Sequence, residues 1–556
     1  MSLVHLKNKN NGVTYVYESS GYWDKDKKQA RSKRICIGKL DPVTGLLIPS
    51  KKNTLAEKEH ETKKPGPVPS TEWKRKFYGT TYLFDSIAQK LGVTEDLKTC
   101  FPERHREILS VAYYLIMEDR NSLSRFPKWG RTHTHPFGKD ISSQRSSELF
   151  GSIDEDSKQS FFAAQCKRRL ETEYLFYDTT SISSYSMSLK QVRYGMNKDG
   201  ERLPQINLAL IMGESSGLPV YFRKLPGNVT DVKTLSHMLA GMDFLDIGHV
   251  KLVMDRGFYS EANINEMYRR HYKFLIAARK SLKRVREKLD GVRDGMITRA
   301  HYSSKHGIYY DSFLTEWEYS ETKPRSGETI QSTKRLYLHL FYNDQRATDD
   351  KTAFNKMLDG LEEELTSGRR VPEHEKSYAK YYDIAETPVR GVKLTPKNAA
   401  ISDTEKNYGY FALFSNGIKN PLEALEVYRS RDMIEKAFGN LKERLNLRRT
   451  SVSSEENLDG KMFVQFIALI ILSYIRKAMH EHNLLGDYTI QEMLDELDVI
   501  EKFEMPGRKP LIGEVTKKQA QLFESMGAFL SLWYNSLGDL GYSCDCFRRV
   551  AFGLTA

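Results

Sequence analysis

Three carboxylates stand where phosphodiester chemistry could be built. Asp178 interrupts an otherwise apolar and aromatic run, YLFYDTTSI, where an ionised group is costly unless a partner or a cation compensates it. Asp255 follows KLVM and precedes Arg256–Gly257, where a strand should end and its side chain can emerge at a sheet edge. Glu435 lies in YRSRDMIEKAFGNLK, residues 428–442. At about 100° per residue, Tyr428, Arg431, Glu435 and Lys442 fall within an arc of about 60°. Ile434, Ala437, Phe438, Leu441 and Leu445 form a separate apolar face of the same helix. Three acids from two strands and a helix repel one another, so their convergence would demand divalent cations. Oxygen-only ligation suits Mg²⁺ or Mn²⁺ rather than zinc. Two such ions about 4 Å apart would activate a water or a sugar hydroxyl and stabilise the leaving oxygen of a phosphodiester. Arg431 and Lys442 would then neutralise or position phosphates, and Tyr428 would hydrogen-bond one. Each residue also has a plainer reading. Asp178 could cap a turn or pair with a lysine, Asp255 could be a turn residue before glycine, and the stripe could be a solvated face stitched by ion pairs.

The elements that must position these acids are legible as a change of rhythm. Between 171 and 277, YLFYDTTSIS, QINLALIMGES and LPVYFRKLPGN read as three strands in succession. A helix-like TDVKTLSHMLAGMDFL, the strand HVKLVMD, the helix SEANINEMYRRHY and the strand KFLIAAR follow. That order predicts a mixed α/β sheet flanked by helices, its first strands a meander and its later ones joined by crossovers. Residues 279–405 break the rhythm and read as a strand-rich insertion, after which YGYFALFSN resumes the sheet and the Glu435 helix follows. The expected organisation is therefore a small β region over 1–50, a charged and Pro-rich linker over 51–70, and a helical DNA-binding region over 71–170. The α/β domain then occupies 171–278 and 406–460, split by the insertion at 279–405, and 461–556 is helical.

These segments resemble the cut-and-paste insertion-sequence transposases of the DDE class, whose catalytic domain is RNase H-like. The spacing Tyr428-x₂-Arg431-x₃-Glu435-x₆-Lys442 is similar to their Tyr-Arg-Glu-Lys signature. YDTTSIS resembles their first-Asp strand, GLPVYFRKLPGNVTD the strand and Pro-Gly-Asn turn that follow it, and VMDRGFYSEANI their second-Asp segment. The long gap before Glu435 resembles their strand-rich insertion, and the whole is close to the subgroup with a long N-terminal extension. The resemblance covers about residues 170–460. It implies that Asp178, Asp255 and Glu435 are catalytic and bind two Mg²⁺ or Mn²⁺ ions, and that Tyr428, Arg431 and Lys442 contact the transposon end. It implies cleavage of the terminal inverted repeats, a hairpin intermediate opened in turn, and joining of the 3′ ends to double-stranded target DNA. A homodimer in the synaptic complex and a bacterial, nucleoid-associated cytoplasmic setting follow from it. Some relatives hold a flipped base with a tryptophan of the insertion, and Trp317 is the only one here. Arg256, beside Asp255, could touch a phosphate or pair with its neighbour. Two other readings stay open, a nuclease that only hydrolyses and a catalytically silent DNA-binding descendant.

The bulk numbers agree with a polyanionic partner. Lys and Arg total 85 against 73 Asp and Glu in 556 residues, a formal charge of +12. Within 1–50, Lys25, Lys27, Lys28, Arg31, Lys33 and Arg34 could follow a DNA backbone, and the basic run at 279–293 reads either as a DNA contact or as solvated surface. Five cysteines, with Cys544-x-Cys546 lacking a second pair, provide no disulfide framework and point to a reduced compartment. The apolar run FVQFIALIILSYI, 463–475, ends in Arg476–Lys477 and reads as a buried helix rather than a membrane span. His133 and His135 have no Cys or acid spaced to complete a metal site and read as loop residues.

Overall fold

The computed structural model describes residues 2–9, 11–24, 29–42, 44–50, 73–118, 122–169, 173–186, 188–242, 250–322, 327–387 and 391–528. The expected linker at 51–70, Lys25, Lys27, Lys28 and Cys544-x-Cys546 lie outside them. The chain divides into two compact units, Met1–Trp73 with Met505–Arg508, and Lys74–Glu504 with Lys509–Ala556. The first contains a four-stranded antiparallel sheet of Ser2–Lys7, Thr14–Asp24, Gln29–Leu40 and Leu47–Pro49. Arg31, Lys33 and Arg34 lie exposed along its third strand.

The second unit is built on one mixed sheet. Its strands are β1 (Leu175–Ser184), β2 (Gln205–Gly213), β3 (Pro219–Pro226), β4 (Lys251–Met254) and β5 (Lys273–Ala278), followed by β6 (Tyr302–Ser303), β7 (Ile308–Thr322), β8 (Thr329–Tyr342) and β9 (Tyr410–Ser415). They lie side by side in the order β6-β7-β8-β9-β5-β4-β1-β2-β3, with Arg449–Thr450 pairing to the end of β1. β1, β2 and β3 form an antiparallel meander, while β4 and β5 run parallel to β1. Those two parallel steps need crossovers, which α1 (Asp231–Met242) and α2 (Glu261–Arg269) supply. Both central strands are buried along almost their whole length. All nine residues of β2 are buried, and in β1 every residue is buried except Asp178.

β7 and β8 do not form a separate body. β8 pairs along β9, which pairs with β5, so the first half of the expected insertion extends the main sheet. An open edge on β9 would leave a row of backbone donors and acceptors unpaired, and β8 satisfies them. Only the second half has a core of its own, where α4 (Asp344–Thr366) packs with Tyr378, Tyr381 and Tyr382 around Phe354, Leu361 and Leu365. The basic run at 279–293 falls largely in α3 (Lys283–Met296), which buries Val285, Leu289 and Met296 and sets Arg284 and Lys288 over the rings of Trp317 and Phe313.

Helices at Gly79–Lys90, Val93–Cys100, His105–Met117, Phe126–Thr132, Ser143–Gly151 and Glu155–Arg169 fill the predicted helical region. They share one continuous apolar core with the sheet. The joint is α7 (Glu455–Glu481), largely apolar along its middle and N-capped by Ser454, whose side chain accepts from the Asn457 amide. Phe463 meets Phe101 and Phe161 on one side, and Phe466 meets Phe222 of β3 on the other, at ring separations of 5.1–5.4 Å. Gly460 allows the close crossing, since a Cβ there would stand 2.1 Å from the Phe150 carbonyl oxygen. By length and composition α7 could cross a membrane, yet 83% of its most apolar window is buried inside the protein. His133 and His135 are both buried in this region. His133 Nε2 lies 2.9 Å from Asp498 and its ring stacks on Trp129, while His135 Nδ1 lies 3.1 Å from Ser110 Oγ. Burial pulls the His135 pKa down to about 4.

Candidate active site

The parallel register of β1 and β4 decides where the two aspartates meet. Tyr177 pairs with Met254, so the next residues, Asp178 and Asp255, emerge side by side on neighbouring strands, about 4.8 Å apart in the pairing direction. Asp255 ends β4 and caps a single turn at Arg256–Phe258, its Oδ1 accepting from the Arg256 amide at 2.7 Å. The Asp178 carboxylate accepts from the Thr179 amide at 2.7 Å. Burial raises the Asp178 pKa, opposed by Lys198, the Thr179 amide and Arg431, while Asp255 pushes it further up. Lys198 Nζ lies 3.8 Å from Asp178 and 3.3 Å from Asp231, and donates to both the carbonyl and the hydroxyl of Thr179 at 2.8 Å. Lys198 and Asp231 are thus supports of Asp178 that sequence reading did not single out.

The third acid arrives differently from the single helix expected. α5 (Pro421–Arg429) opens on Asn420, whose side chain accepts from the Leu422 and Glu423 amides, and stops at Ser430. The Ser430 hydroxyl donates to the Glu426 carbonyl at 3.0 Å, a local bond that competes with helix continuation. α6 (Asp432–Gly439) restarts from Arg431 and gives way at Asn440–Arg444 to a wider π turn, which closes on Asn446 in the left-handed region. Only Arg431 and Glu435 therefore share a helical face. Ile434, Ala437, Phe438 and Leu441 are buried as the apolar pattern requires, and α6 packs on β1 and β2.

Arg431 unites the site. Its guanidinium lies 3.5 Å from Asp178, 4.0 Å from Asp255 and 2.8 Å from Glu435. Its side chain is only 15% exposed, and burial alone would lower its pKa. Tyr428, Asp255, Asp178 and Glu435 hold it above the usual arginine value instead. Tyr428 donates its hydroxyl to Asp255 at 3.0 Å and stacks against the guanidinium, and burial together with Asp255 raises its pKa. Three hard oxygen donors around one positive centre make a donor set suited to Mg²⁺ or Mn²⁺. Among the described residues no three acidic or thiol and imidazole groups close on one point by themselves, and the Arg431 guanidinium is what stands between these three.

The remaining candidates are placed apart from that cluster. Lys442 sits in the π turn and donates to both oxygens of Asp199, at 2.8 and 2.7 Å, with only 10% of its side chain exposed. As arranged, it positions the loop after β1 rather than facing solvent. A thermal-denaturation double-mutant cycle of Lys442→Ala and Asp199→Ala is expected to give a coupling of about 1–3 kcal/mol. Additive losses would show that the pair contributes nothing. Arg256 is exposed beside Asp255 and makes no side-chain ion pair among the described residues. Trp317 is carried away from the acids by register. Met254 is level with Ile276, Phe414 and Leu338 across the sheet, whereas Trp317 pairs with Lys334, four residues further from the acid end, or about 13 Å along the strand. It is 5% exposed, and its indole N–H donates to Asn265 at 2.7 Å. Its position lends no support to a role beside a flipped base; it covers the sheet face under α2 and α3.

Two aspartates at adjacent strand ends and a glutamate on a following helix are thus gathered at one end of a mixed sheet. Residues 170–471, just over half of the chain, match the family model described as transposase DDE domain, and the chain belongs to that family of DNA transposases. One solved structure, of a piggyBac transposase synaptic complex with hairpin DNA, aligns at 12% identity over 90% of this chain and 79% of that one, with a TM-score of 0.31. No curated protein matches the chain.

Proposed function

We propose that the protein cleaves the ends of its own insertion sequence and joins the freed 3′ ends to target DNA, with Asp178, Asp255 and Glu435 as the catalytic, metal-binding acids of an RNase H-like domain. The observation that carries this reading is Arg431, whose one guanidinium reaches a carboxylate of each acid from two strand ends and a helix. The strand order β3-β2-β1-β4-β5, with β4 and β5 parallel to β1, supports the RNase H-like assignment. Bound divalent ions would supply activation of the attacking oxygen and charge for the leaving one.

The chain's own residues account for the rest. The Thr179 amide and Lys198 hold Asp178, Tyr428 and the Arg256 amide hold Asp255, and the packed face of α6 holds Glu435. Asp178, Asp255 and Glu435 would hold the ions, and Arg431 and Tyr428, which lie against those acids, would meet the phosphates of the transposon end, where guanidinium and phenol each make directional contacts. Arg256 adds a cation at the rim. A hairpin route and a synaptic dimer belong to the same proposal. The test supplies the element's terminal inverted repeats, a supercoiled target plasmid and Mg²⁺. Covalent joining of 3′ ends to the plasmid is expected. Hydrolysis without joining would replace this reading with that of a nuclease, and binding without cleavage under Mg²⁺ or Mn²⁺ with that of a silent DNA-binding descendant.

A further inference from the structure

The loop that joins β1 to β2 holds its apolar side chains in an unusual way. Tyr194 is 64% exposed and Met196 93% exposed, although the backbone is held on either side of them. Arg193 pairs through both backbone groups with Gln205, and the Gln205 side-chain amide donates to the Met196 carbonyl at 3.1 Å. Asn197 donates to Ser183 Oγ and accepts from the Asp199 and Glu201 amides. Gly195 is pressed against the turn after β3, where a Cβ would stand 2.1 Å from the Gly227 carbonyl oxygen. Residue 195 therefore faces the protein while 194 and 196 face water. A floppy loop would fold such side chains away; this one displays them.

The display lies beside the acids. Lys198, two residues beyond Met196, contacts Asp178, and Asp199 is tied to Lys442. Two residues span at most about 7 Å of backbone, and the Lys198 side chain with its 3.8 Å approach to Asp178 adds to that, so the pair lies within a few base steps of the acids at about 3.4 Å each along a strand. The carboxylates of the loop are neutralised from within, Asp199 by Lys442 and Glu201 by Arg449. What faces outward is a tyrosine and a methionine with the exposed Arg193 and Arg202 beside them. Aromatic and apolar side chains among cations are the composition that holds unstacked bases, by stacking and by wedging between steps.

We infer that Tyr194 and Met196 form a nucleobase-binding surface that holds unpaired nucleotides within a few positions of the phosphodiester at Asp178. The inference rests on the proposed reaction for its orientation, since the acids define which phosphate lies at the centre. The test compares three proteins, wild type, the double variant Tyr194→Ala/Met196→Ala and Asp178→Asn, by fluorescence anisotropy with Ca²⁺. The probes are a 30-bp blunt duplex of arbitrary sequence and the same duplex with a 3′ overhang of four thymidines. Wild type and Asp178→Asn are expected to prefer the overhang by about tenfold. The double variant should bind both probes as wild type binds the blunt one. With 5-iododeoxyuridine in the overhang, photo-crosslinks should map to residues 190–202. An equal preference in the double variant, crosslinks confined elsewhere, or no preference in wild type would overturn the inference. The readings fail separately: acid variants that still cleave sink the catalytic assignment without touching the overhang preference.

Discussion

Asp178→Asn is expected to lower strand cleavage by about 10³-fold or more, the scale on which a single preorganised catalytic group acts, while binding of end DNA survives. Asparagine keeps the size of the side chain and an oxygen for the Thr179 amide, but it removes the charge that a divalent ion needs. Gel assays of cleavage and of binding on one DNA separate the two effects, and a variant that cuts within tenfold of wild type would end the assignment. The pH dependence follows from burial. Because burial raises the Asp178 pKa, its ionised form is lost on acidification earlier than for an ordinary aspartate. At limiting Mg²⁺, cleavage should therefore decline as pH falls, with a midpoint above the usual aspartate range. Lys198→Met should move that midpoint higher, since Lys198 favours the charged form. The stability effect has the opposite sign. The folded chain holds the Asp178 proton more tightly than the unfolded chain does, so its contribution is present at low pH and lost as pH rises above the ordinary aspartate value. In EDTA at neutral pH, Asp178→Asn should accordingly melt above wild type.

Arg431→Ala is expected to destabilise the metal-free protein by about 2–3 kcal/mol. Removing one partner from a buried charge cluster costs roughly 3–5 kcal/mol, and screening at Glu435 and Asp255, 55% and 39% exposed, reduces the figure. The alanine variant leaves three acids facing one another with Lys198 as the nearby cation, so Mg²⁺ should stabilise it far more than it stabilises wild type. Thermal melts in EDTA and across a Mg²⁺ titration provide the check. Arg431→Lys should recover only part of the loss, because a single ammonium cannot reach three carboxylates at once. Equal melting of Arg431→Ala and wild type in EDTA, with no extra gain from Mg²⁺, would mean that the guanidinium does not hold the acids together.

The strands that carry the two aspartates were legible because each acid follows a short apolar run, YLFY or LVM, and a buried strand cannot disguise an ionisable residue. Asp178 stood out for that reason, and Asp255 because the run ended in Asp-Arg-Gly. The apolar face of the Glu435 helix was equally plain, and Ile434, Ala437, Phe438 and Leu441 are all buried. Arc geometry failed where the helix is not continuous. A serine hydroxyl bonded back to Glu426 and a π turn after Gly439 redirect Lys442 to Asp199, and neither event leaves a periodic trace. Lys198 and Asp231 escaped notice because a lysine in a polar loop and an aspartate opening a helix are ordinary until a neighbour is known.

The sequence alone determined which residues must be inside, where strands and helices alternate, and that Asp178 is an acid which burial makes conspicuous, since these depend on local hydrophobic pattern and on the cost of isolated charge. Only the tertiary structure decided that the 308–342 hairpin continues the main sheet, that Trp317 lies toward the far end from the acids, and that one arginine meets all three of them. Those outcomes depend on strand pairing between segments far apart in the chain. A register fixed by backbone hydrogen bonds sets which side chains become neighbours, and no single stretch of sequence contains that information.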